Sequence, residues 1–315
     1  MNPISLQKKT QTLKELAFQL GFDFCGISKA EFLEEDAKKL EAWLQRKLHG
    51  QMSYMEHWFD LRIDPRNIIP GAQSVISLMA NYTPRKKISL PDGIKISRYA
   101  YGLDYHKVIR KRLKKLIQEM KKKWGEFQYR IFTDSGPVLE KAWAVKSGLG
   151  WMGKHTNIIN RTAGSYFFLS EIICDVDFEP DGPIKDYCGT CRRCIDACPT
   201  EAIHQPYELD ASKCISYLTI ELREQIPEEF HGAWKDWIFG CDICQEVCPW
   251  NKFSSPHKEP QFEPLETIMG LNTQDWLNLT EDVFEKIALH SPLKRAGLQK
   301  IKNTIRVLKT NKTTS

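Results

Sequence analysis

The stretch Cys188-Gly-Thr-Cys191-Arg-Arg-Cys194-Ile-Asp-Ala-Cys198-Pro199 decides how the second half of this chain folds. Its spacing is C-x2-C-x2-C-x3-C-P, the ligand pattern of bacterial ferredoxins. In that pattern three thiolates bind one [4Fe–4S] cluster, and the fourth cysteine binds a second cluster. The stretch therefore predicts a ferredoxin-like unit that holds two clusters.

A second run, Cys241-Asp-Ile-Cys244-Gln-Glu-Val-Cys248-Pro249, repeats the pattern without its first ligand, since Ile238 stands in that place. By the crossover rule, each cluster takes its last ligand from the other run. The second cluster then lacks one ligand, and Cys214 is the only unassigned cysteine between the runs. We therefore predict two sites of four thiolates, the first formed by Cys188, Cys191, Cys194 and Cys248, and the second by Cys198, Cys214, Cys241 and Cys244.

Structural zinc is the alternative, because C-x2-C pairs also build zinc sites. Zinc ribbons do not need the C-x3-C-P ending, which occurs twice here. The other two cysteines, Cys25 and Cys174, stand alone in apolar stretches, and we interpret them as buried, inert thiols. Two clusters in one unit form a path for electrons, which implies a redox centre at its end.

The 315 residues are predicted to form three parts. Residues 1–180 alternate helical and strand patterns, which indicates an α/β or α+β domain. Residues 181–255 are the ferredoxin-like domain with two [4Fe–4S] clusters, and residues 256–315 are a short helical segment. Helices are predicted at 6–20, 32–48, 105–124 and 138–146, and strands at 22–27, 74–80, 127–132 and 166–176.

The chain has no apolar run of membrane length, and its N-terminus lacks the apolar region of a signal peptide. We expect a cytoplasmic protein that does not contact a membrane. Basic residues are concentrated in two places, although the net charge is only +5. Residues 107–123 contain nine Lys or Arg against Glu119 alone, and eight Lys or Arg but no acid follow Glu285. In the helix predicted at 105–124 they lie opposite an apolar stripe, which indicates a polyanionic partner.

Gly148-Leu-Gly150-Trp-Met-Gly153 matches the G-x-G-x-x-G fingerprint of dinucleotide-binding proteins. The fingerprint requires a strand before it and a helix after it, whereas here a predicted helix precedes it and poor helix formers follow. Glu171 lies near the distance expected for the acid that binds the ribose, which alone is weak support. We interpret the glycines as a turn near a ligand.

Asp134 follows a predicted strand and precedes a predicted helix, so two interpretations are open. As a helix cap or turn residue it would have an ordinary structural role, and the sequence alone favours this. Alternatively it is an acid at the end of a strand, where open α/β sheets bind ligands. His57 and His106 are each ambiguous, because an isolated histidine is usually structural or solvated.

The chain resembles the epoxyqueuosine reductases, cobalamin-dependent enzymes that perform the last step of queuosine synthesis on tRNA. The resemblance covers roughly residues 5–295, and several long motifs in the right order make it specific. It rests on Arg62-Ile-Asp-Pro65, Ile96-Ser97-Arg98-Tyr99, Asp104-Tyr-His106, Asp134-Ser-Gly-Pro137-Val-Leu-Glu140, Gly148–Lys154, Cys188–Thr200, Cys214–Glu221 and Gly240–Asn251.

The resemblance implies cobalamin in the N-terminal domain and makes Asp134 the proton donor rather than a cap. Electrons from an external donor, of flavodoxin or ferredoxin type, would pass through the clusters to cobalt. Reduced cobalt would engage the epoxide carbon, Asp134 would protonate the oxygen, and water would leave to give the cyclopentene of queuosine. Such a donor favours a partly desolvated site. The implied cobalamin contacts are His57, Ser97, Arg98, Tyr99, Asp134 and Ile158.

A tRNA substrate would also explain the basic helix and the basic C-terminus. The candidate tRNA contacts are Lys111, Lys114 and Lys115 of that helix, with Lys141, Ser216 and Arg223 from motif-matching segments. The chain departs from the family in one respect: many members continue into a helical-repeat tail, so the C-terminal segment is truncated relative to them. Two other hypotheses stay open, a cobalamin–iron–sulfur reductase of a small molecule and an electron carrier without a substrate.

Overall fold

The computed structural model describes residues 5–86, 88–233 and 236–313. The α-helices in these ranges are α1 Leu6–Gln19, α2 Glu34–Gln45, α3 Phe59–Ile63, α4 Tyr105–Trp124, α5 Glu140–Lys146, α6 Arg193–Asp196, α7 Ile215–Ile220, α8 Ile243–Glu246, α9 Glu266–Met269, α10 Thr273–Asn278, α11 Glu281–Ile287 and α12 Leu298–Thr313. The strands are β1 Phe24–Lys29, β2 Ser74–Asn81, β3 Lys95–Ile96, β4 Tyr129–Phe132, β5 Trp151–Met152, β6 Ile158–Ile159, β7 Phe167–Cys174 and β8 Trp237–Phe239.

A four-stranded sheet with the order β1-β2-β7-β4 forms the centre of the N-terminal part. Every neighbouring pair in it is antiparallel, so this part is α+β and not the parallel α/β alternative. Side chains alternate across the sheet, and both faces are buried. Ile76 and Leu78 of β2 pack in one apolar cluster with α1 and α4, while Val75 and Met79 face α5.

Helix α4 spans the residues that the sequence predicts. The side chain of Asp104 accepts a hydrogen bond from the backbone N–H of His106 at 3.0 Å and so caps the first turn. Gly125 ends the helix at φ +82°. The apolar stripe is buried against the sheet, and Lys111, Lys114 and Lys115 are exposed on the other face.

The glycine-rich stretch forms a turn and a short hairpin. Gly148 has φ +70°, strand β5 begins at Trp151, and β5 pairs with β6. A Cβ on Gly150 would lie 2.4 Å from the backbone oxygen of Ile159, so the hairpin requires a glycine there. Residues 154–165, all of them described, contain no helix. This excludes the dinucleotide-binding interpretation and agrees with a turn.

The cysteine-rich part shares one core with the C-terminal helices. The short helices α6 and α8 pack together, and β8 pairs in parallel with β3 from the N-terminal part. The apolar cluster around β8 contains Ile96, Leu218, Phe239, Trp276 and Ile301. Side chains from all three predicted parts therefore fill this core. The helical C-terminal segment is confirmed, whereas the borders at 180 and 255 stay predictions.

Cys25 and Cys174 are buried in the core beside the sheet, as the sequence predicts. Burial raises the pKa of both thiols to about 12, which keeps them protonated and unreactive at neutral pH. Among the described residues, we find no helix with both the length and the apolar character needed to cross a membrane.

Candidate redox and acid–base site

Cys188, Cys191, Cys194 and Cys248 line one cavity, which they share with Trp250 and other side chains. Cys248 comes from the second cysteine run, so the fold brings the two runs together here. The indole Nε1 of Trp151 donates to Sγ of Cys188 at 3.4 Å. Trp151 and Trp250 also pack as an edge-to-face pair, with ring centroids 5.0 Å apart. This first cysteine group therefore has an aromatic wall.

His155 lines the same cavity, and sequence reasoning did not single it out. Its Nδ1 accepts the backbone N–H of Asn157 at 3.2 Å, while its buried Nε2 has no hydrogen-bond partner among the described residues. Burial, and then the charge of Lys141, lowers the pKa of His155 to about 4. The ring is therefore neutral at neutral pH.

Cys198, Cys214, Cys241 and Cys244 form the second group. Burial raises the pKa of Cys214 and Cys244, and Cys198 lies close enough to raise both pKa values further. Cys214 and Cys244 in turn contribute to the raised pKa of Cys241. In the described ranges, no three His, Cys, Asp or Glu side chains come close enough to hold one metal ion.

Asp134 lies in the loop after β4, with φ +52°, and its side chain is 60% exposed. The hydroxyl of Tyr105 donates to its Oδ2. Helix α5 begins only at Glu140, with Leu139 in the cap position, so the interpretation of Asp134 as a helix cap is wrong. The carboxylate is also more open than the partly desolvated site that we expected for a proton donor.

His106 connects Asp134 to the start of α4. Its Nδ1 lies 2.8 Å from Oδ1 of Asp104, and its Nε2 lies 3.6 Å from Oδ2 of Asp134. Desolvation opposes a charge on this ring, but the two carboxylates outweigh it and raise the pKa of His106 to about 9. An imidazolium therefore stands beside Asp134 at neutral pH.

Two further carboxyl groups lie behind Asp134, and neither was singled out as a site residue from the sequence. The backbone N–H of Asp134 donates to Oε1 of Glu140 at 2.6 Å. Burial, and then the charge of Asp134, raises the pKa of Glu140 to about 8. Glu171 of β7 is fully buried next to Glu140, and this burial raises its pKa well above the usual range.

Arg62 ties the Asp134 loop to a neighbouring segment. Its buried guanidinium donates to the carbonyl oxygens of Tyr54 at 2.7 Å and His57 at 3.1 Å, and to Gly136 at 3.4 Å. The His57 side chain is exposed at this edge, as are the rings of Tyr54 and Trp58. Tyr54 and Trp58 were missed from the sequence, because an isolated aromatic residue gives no sign of where it lies.

Ser97, Arg98 and Tyr99 form a turn that contacts the second cysteine run. The hydroxyl of Ser97 and the backbone N–H of Arg98 both donate to the carboxylate of Asp242, the latter at 2.9 Å. Asp242 lies between Cys241 and Cys244 in the chain. The ring of Tyr99 packs edge-to-face on Tyr105, with centroids 6.1 Å apart. This turn therefore lies between the second cysteine group and the Asp134 region.

Lys141 lies between these elements. Its side chain is exposed, yet desolvation by the surrounding protein atoms lowers the pKa of its amine. The acidic side chains that lie close enough to act on Lys141 are Asp134, Cys244, Glu140 and Cys214. Its Nζ also donates to Oδ1 of Asn157 at 3.4 Å, next to the buried Ile158. Lys141 thus lies between Asp134 and the second cysteine group, and we call the region around these residues the cleft.

The remaining predicted tRNA contacts lie in different places. Ser216 is half-buried on α7, directly after the Cys214 position. Arg223 is exposed, and its backbone N–H donates to Oε1 of Gln51 at 3.1 Å. Lys111, Lys114 and Lys115 project from the outer face of α4, the helix whose first turn holds Tyr105 and His106. The fold therefore brings Lys141 to the acid and leaves the basic helix face outside the cleft.

Two protein families match separate parts of the chain. The family described as "4Fe-4S double cluster binding domain" matches residues 187–251. The family described as "Epoxyqueuosine reductase QueG, DUF1730" matches residues 62–135. The first range contains all eight clustered cysteines, and the second runs from Arg62 to the Asp134 loop.

Relatives match nearly the whole chain. The epoxyqueuosine reductase of Leadbetterella byssophila is 53% identical over 300 residues, which are 95% of this chain and 98% of that protein. The epoxyqueuosine reductase of Escherichia coli is 41% identical over 300 residues, which are 94% of this chain and 79% of that protein.

Solved structures agree with the sequence matches. Epoxyqueuosine reductase with an epoxyqueuosine-modified tRNA-Tyr stem loop is 30% identical with a TM-score of 0.87, covering 96% of this chain and 81% of that one. The Bacillus subtilis enzyme, solved with its catalytic aspartate loop swung out of the active site, is 30% identical with a TM-score of 0.88, covering 96% and 82%. The reductive dehalogenase NpRdhA is 16% identical with a TM-score of 0.50, covering 98% and 37%, which shows a related fold alone.

Proposed function

The chain belongs to the epoxyqueuosine reductase family, and on that basis we propose that it reduces epoxyqueuosine to queuosine at the wobble position of tRNA. It is therefore an oxidoreductase. The observation that carries the proposal is the position of Asp134, whose carboxylate lies between Tyr105 and His106 beside the cleft that borders the second cysteine group. The reaction takes up two electrons and two protons, and the epoxide oxygen leaves as water.

The cysteines fit two [4Fe–4S] clusters. The four thiols that line the first cavity are the set that the crossover rule assigns to one cluster, and the other four are mutual neighbours. We propose Cys188, Cys191, Cys194 and Cys248 as ligands of the first cluster and Cys198, Cys214, Cys241 and Cys244 as ligands of the second. Because Cys214 and Cys244 lie close enough to act on Lys141, the second cluster would lie nearer to the cleft.

Cobalamin is the cofactor that the family resemblance implies for the cleft. Tyr99 and Tyr105 pack edge-to-face beside Asp134, and the rings of Tyr54 and Trp58 are exposed. We propose that Ser97, Arg98, Tyr99 and Ile158 hold cobalamin together with His57 and Asp134. Bound cobalamin would supply a strongly reducing cobalt centre that accepts electrons from the clusters.

The acid–base groups have separate roles. Asp134 holds the proton that the epoxide oxygen receives, and the hydroxyl of Tyr105 orients its carboxyl group. The imidazolium of His106 then stabilises the carboxylate that remains after the transfer. Arg62 fixes the loop through the carbonyl of Gly136, so the acid keeps its position when the substrate enters.

A tRNA substrate fits the distribution of charge. The first turn of α4 contacts Asp134, and the exposed lysines Lys111, Lys114 and Lys115 follow on the outer face of the same helix. At a rise of about 1.5 Å per residue, Lys111 lies about 9 Å along the helix from Tyr105, within reach of a neighbouring phosphate. Lys141, Ser216 and Arg223 would contact the tRNA near the modified base. We further propose a protein of flavodoxin or ferredoxin type as the electron donor. The proposed location of the enzyme is the cytoplasm.

The test is single-turnover conversion of epoxyqueuosine-containing tRNA by the pre-reduced enzyme, with queuosine measured by mass spectrometry. The wild-type enzyme should form queuosine. Asp134→Asn should keep the clusters and lose roughly two or more orders of magnitude in rate, because an amide cannot supply the proton. The matched control is Asp177→Asn, at an exposed aspartate outside the site, which should convert normally. No queuosine from the wild-type enzyme would refute the proposed activity, and an active Asp134→Asn variant would refute the role of Asp134.

A further inference from the structure

Glu171 is a buried carboxyl group without a hydrogen-bond donor. Its side chain is 0% exposed, and neither of its oxygens receives an N–H or O–H hydrogen bond from a described residue. On the central strand β7 it pairs with Phe132 of β4 on one side and with Ser77 of β2 on the other. The hydroxyl of Ser77 accepts a hydrogen bond from Ser147 at 3.2 Å, and it does not donate to Glu171.

Among the described residues, the titratable groups that act on Glu171 are Glu140, which has the larger effect, and Asp134. Two carboxylates cannot both stay ionised in such a place, so the pair must hold protons. A protonated carboxyl can donate to its neighbour, and this gives Glu171 the hydrogen bond that it otherwise lacks. With the pKa of Glu140 raised to about 8 by burial and by Asp134, both groups are protonated at neutral pH.

Asp134 has the opposite condition. Its side chain is 60% exposed, whereas that of Glu171 is fully buried. A bound substrate would cover this carboxylate and remove water from it, which favours its protonated form. The group in contact with the Asp134 backbone is Glu140, through the 2.6 Å hydrogen bond. The proton that Asp134 needs is therefore already stored one side chain away.

We propose that Glu140 and Glu171 form a proton store that loads Asp134 when the substrate closes the cleft. This inference rests on the proposed function and adds two residues to it. One proton moves from the carboxyl of Glu140 to the carboxylate of Asp134, and Asp134 then gives it to the epoxide oxygen. Glu140 and Glu171 keep one shared proton and one negative charge, so no charge is created or lost in the site during loading.

The side chains around Glu140 and Glu171 explain why the negative charge of Asp134 can move to Glu140. Glu140 is faced by Tyr105 and His106 from α4, by Asp134 from the loop and by Lys141 from its own helix. The cationic partners, His106 and Lys141, stabilise a carboxylate at Glu140. The described groups that face Glu171 are the acids Glu140 and Asp134, so this residue serves to hold the shared proton.

The variants Glu140→Gln and Glu171→Gln separate this role from a structural one. A glutamine at position 140 still accepts the Asp134 N–H but cannot supply a proton. A glutamine at position 171 donates a hydrogen bond to Glu140 and stabilises its carboxylate, so Glu140 loses its proton at a lower pH. In the single-turnover assay the wild-type rate should fall as the pH rises through about 8, where Glu140 loses its proton. Both variants should be slower by about tenfold or more at pH 8 and recover at pH 6, where the solvent supplies the proton.

Two comparisons decide the outcome. Asp134→Asn should stay slow at both pH values, because acid cannot replace the donor itself. Ser77→Ala, which removes a hydroxyl beside Glu171 but no carboxyl, should keep the wild-type pH profile. Infrared spectra of the resting enzyme at neutral pH should show a protonated-carboxyl band that Glu171→Gln removes.

The store and the proposed function can fail separately. Wild-type pH profiles in both glutamine variants, or an unchanged carboxyl band in Glu171→Gln, would overturn the proton store while queuosine formation stays intact. Absence of queuosine from the wild-type enzyme would instead refute the activity. Iron content and thermal unfolding of each variant establish that it is folded before its profile is compared.

Discussion

Nε2 of His106 lies 3.6 Å from Oδ2 of Asp134, while Nδ1 of the same ring lies 2.8 Å from Oδ1 of Asp104. The His106 ring therefore lies between Asp104, which caps α4, and Asp134, which lies in the loop after β4. Both carboxylates favour its charged form, and their effect exceeds the cost of desolvation. Protonation of His106 consequently couples the start of α4 to the Asp134 loop.

This coupling predicts a pH dependence of stability. The pKa of His106 is about 9 in the folded protein and near 6.5 in the unfolded chain. Its contribution is fully present below about pH 6.5 and is lost as the pH rises through about 9. Between these values, the free energy of unfolding should fall by about 1–2 kcal/mol more in the wild type than in His106→Gln, allowing for solvent screening. Chemical denaturation at several pH values measures this, with His57→Gln as control, and parallel curves for wild type and His106→Gln would contradict it.

The second prediction concerns the ligand that the second cysteine run lacks. If Cys214 completes the second cluster, Cys214→Ala should lose about four irons or convert that site to a three-iron cluster. Iron analysis and the EPR spectrum of the reduced protein measure the change. Cys25→Ala and Cys174→Ala are matched controls, since both thiols are buried away from the clusters, and should keep about eight irons. An unchanged spectrum in Cys214→Ala would exclude it as a ligand.

The third prediction concerns the basic face of α4. Lys111, Lys114 and Lys115 are exposed and form none of the ion pairs found in the described part of the chain. Reversal of all three to Glu should weaken tRNA binding and flatten its salt dependence, because each phosphate contact contributes close to one unit of log–log slope. Titration of tRNA at several salt concentrations measures the slope.

A charge-matched control separates this local effect from a change in net charge. Reversal of Lys29, Lys38 and Lys39, which are exposed on β1 and α2, alters the net charge equally. Its salt slope should match the wild type. If the α4 variant also keeps the wild-type slope, the phosphate contacts lie elsewhere, and the basic C-terminal residues become the next candidates.

The fourth prediction concerns Gly240, at the junction between the turn of Ser97 and the second cysteine run. It has φ +67°, and a Cβ would lie 2.6 Å from Cβ of Ser97. Gly240→Ala should therefore cost both backbone strain and a steric clash, about 2–4 kcal/mol in the free energy of unfolding. Gly71→Ala is the control, because Gly71 has φ +82° but no described atom within 4 Å of the added Cβ. It should cost about 1 kcal/mol, and equal losses in both variants would show that Ser97 gives way.

Local patterns explain which elements were predictable. The α4 pattern is confirmed residue for residue, since Asp104 caps the helix and Gly125 ends it. The strand at 74–80 is likewise found, as β2, because a continuous apolar run between turns is typical of a buried strand. The cysteine sets were assigned from the spacing within each run, from the crossover rule and, for Cys214, by elimination. The relatives then showed the family that the motifs indicated.

The position of α5 was predicted two residues too early, and this affected the interpretation of Asp134. Leu139 has φ −85° and ψ 72°, which is outside the helical region, so the helix begins only at Glu140. Asp134 is then too far from the helix to cap it. From the residues alone a cap was the favoured interpretation, and the family resemblance supplied the role as an acid.

The sequence by itself determined the cysteine pattern, the apolar and basic faces of α4 and the family, because each depends on residues that are close together in the chain. Tertiary structure alone decided which carboxyl groups meet. Glu140 and Glu171 are separated by a hairpin and a strand, and they come together because β7 pairs with β4 while α5 packs on that face of the sheet. A carboxyl gains or loses its proton according to burial and neighbours, and those are set by strand pairing and packing rather than by residue type.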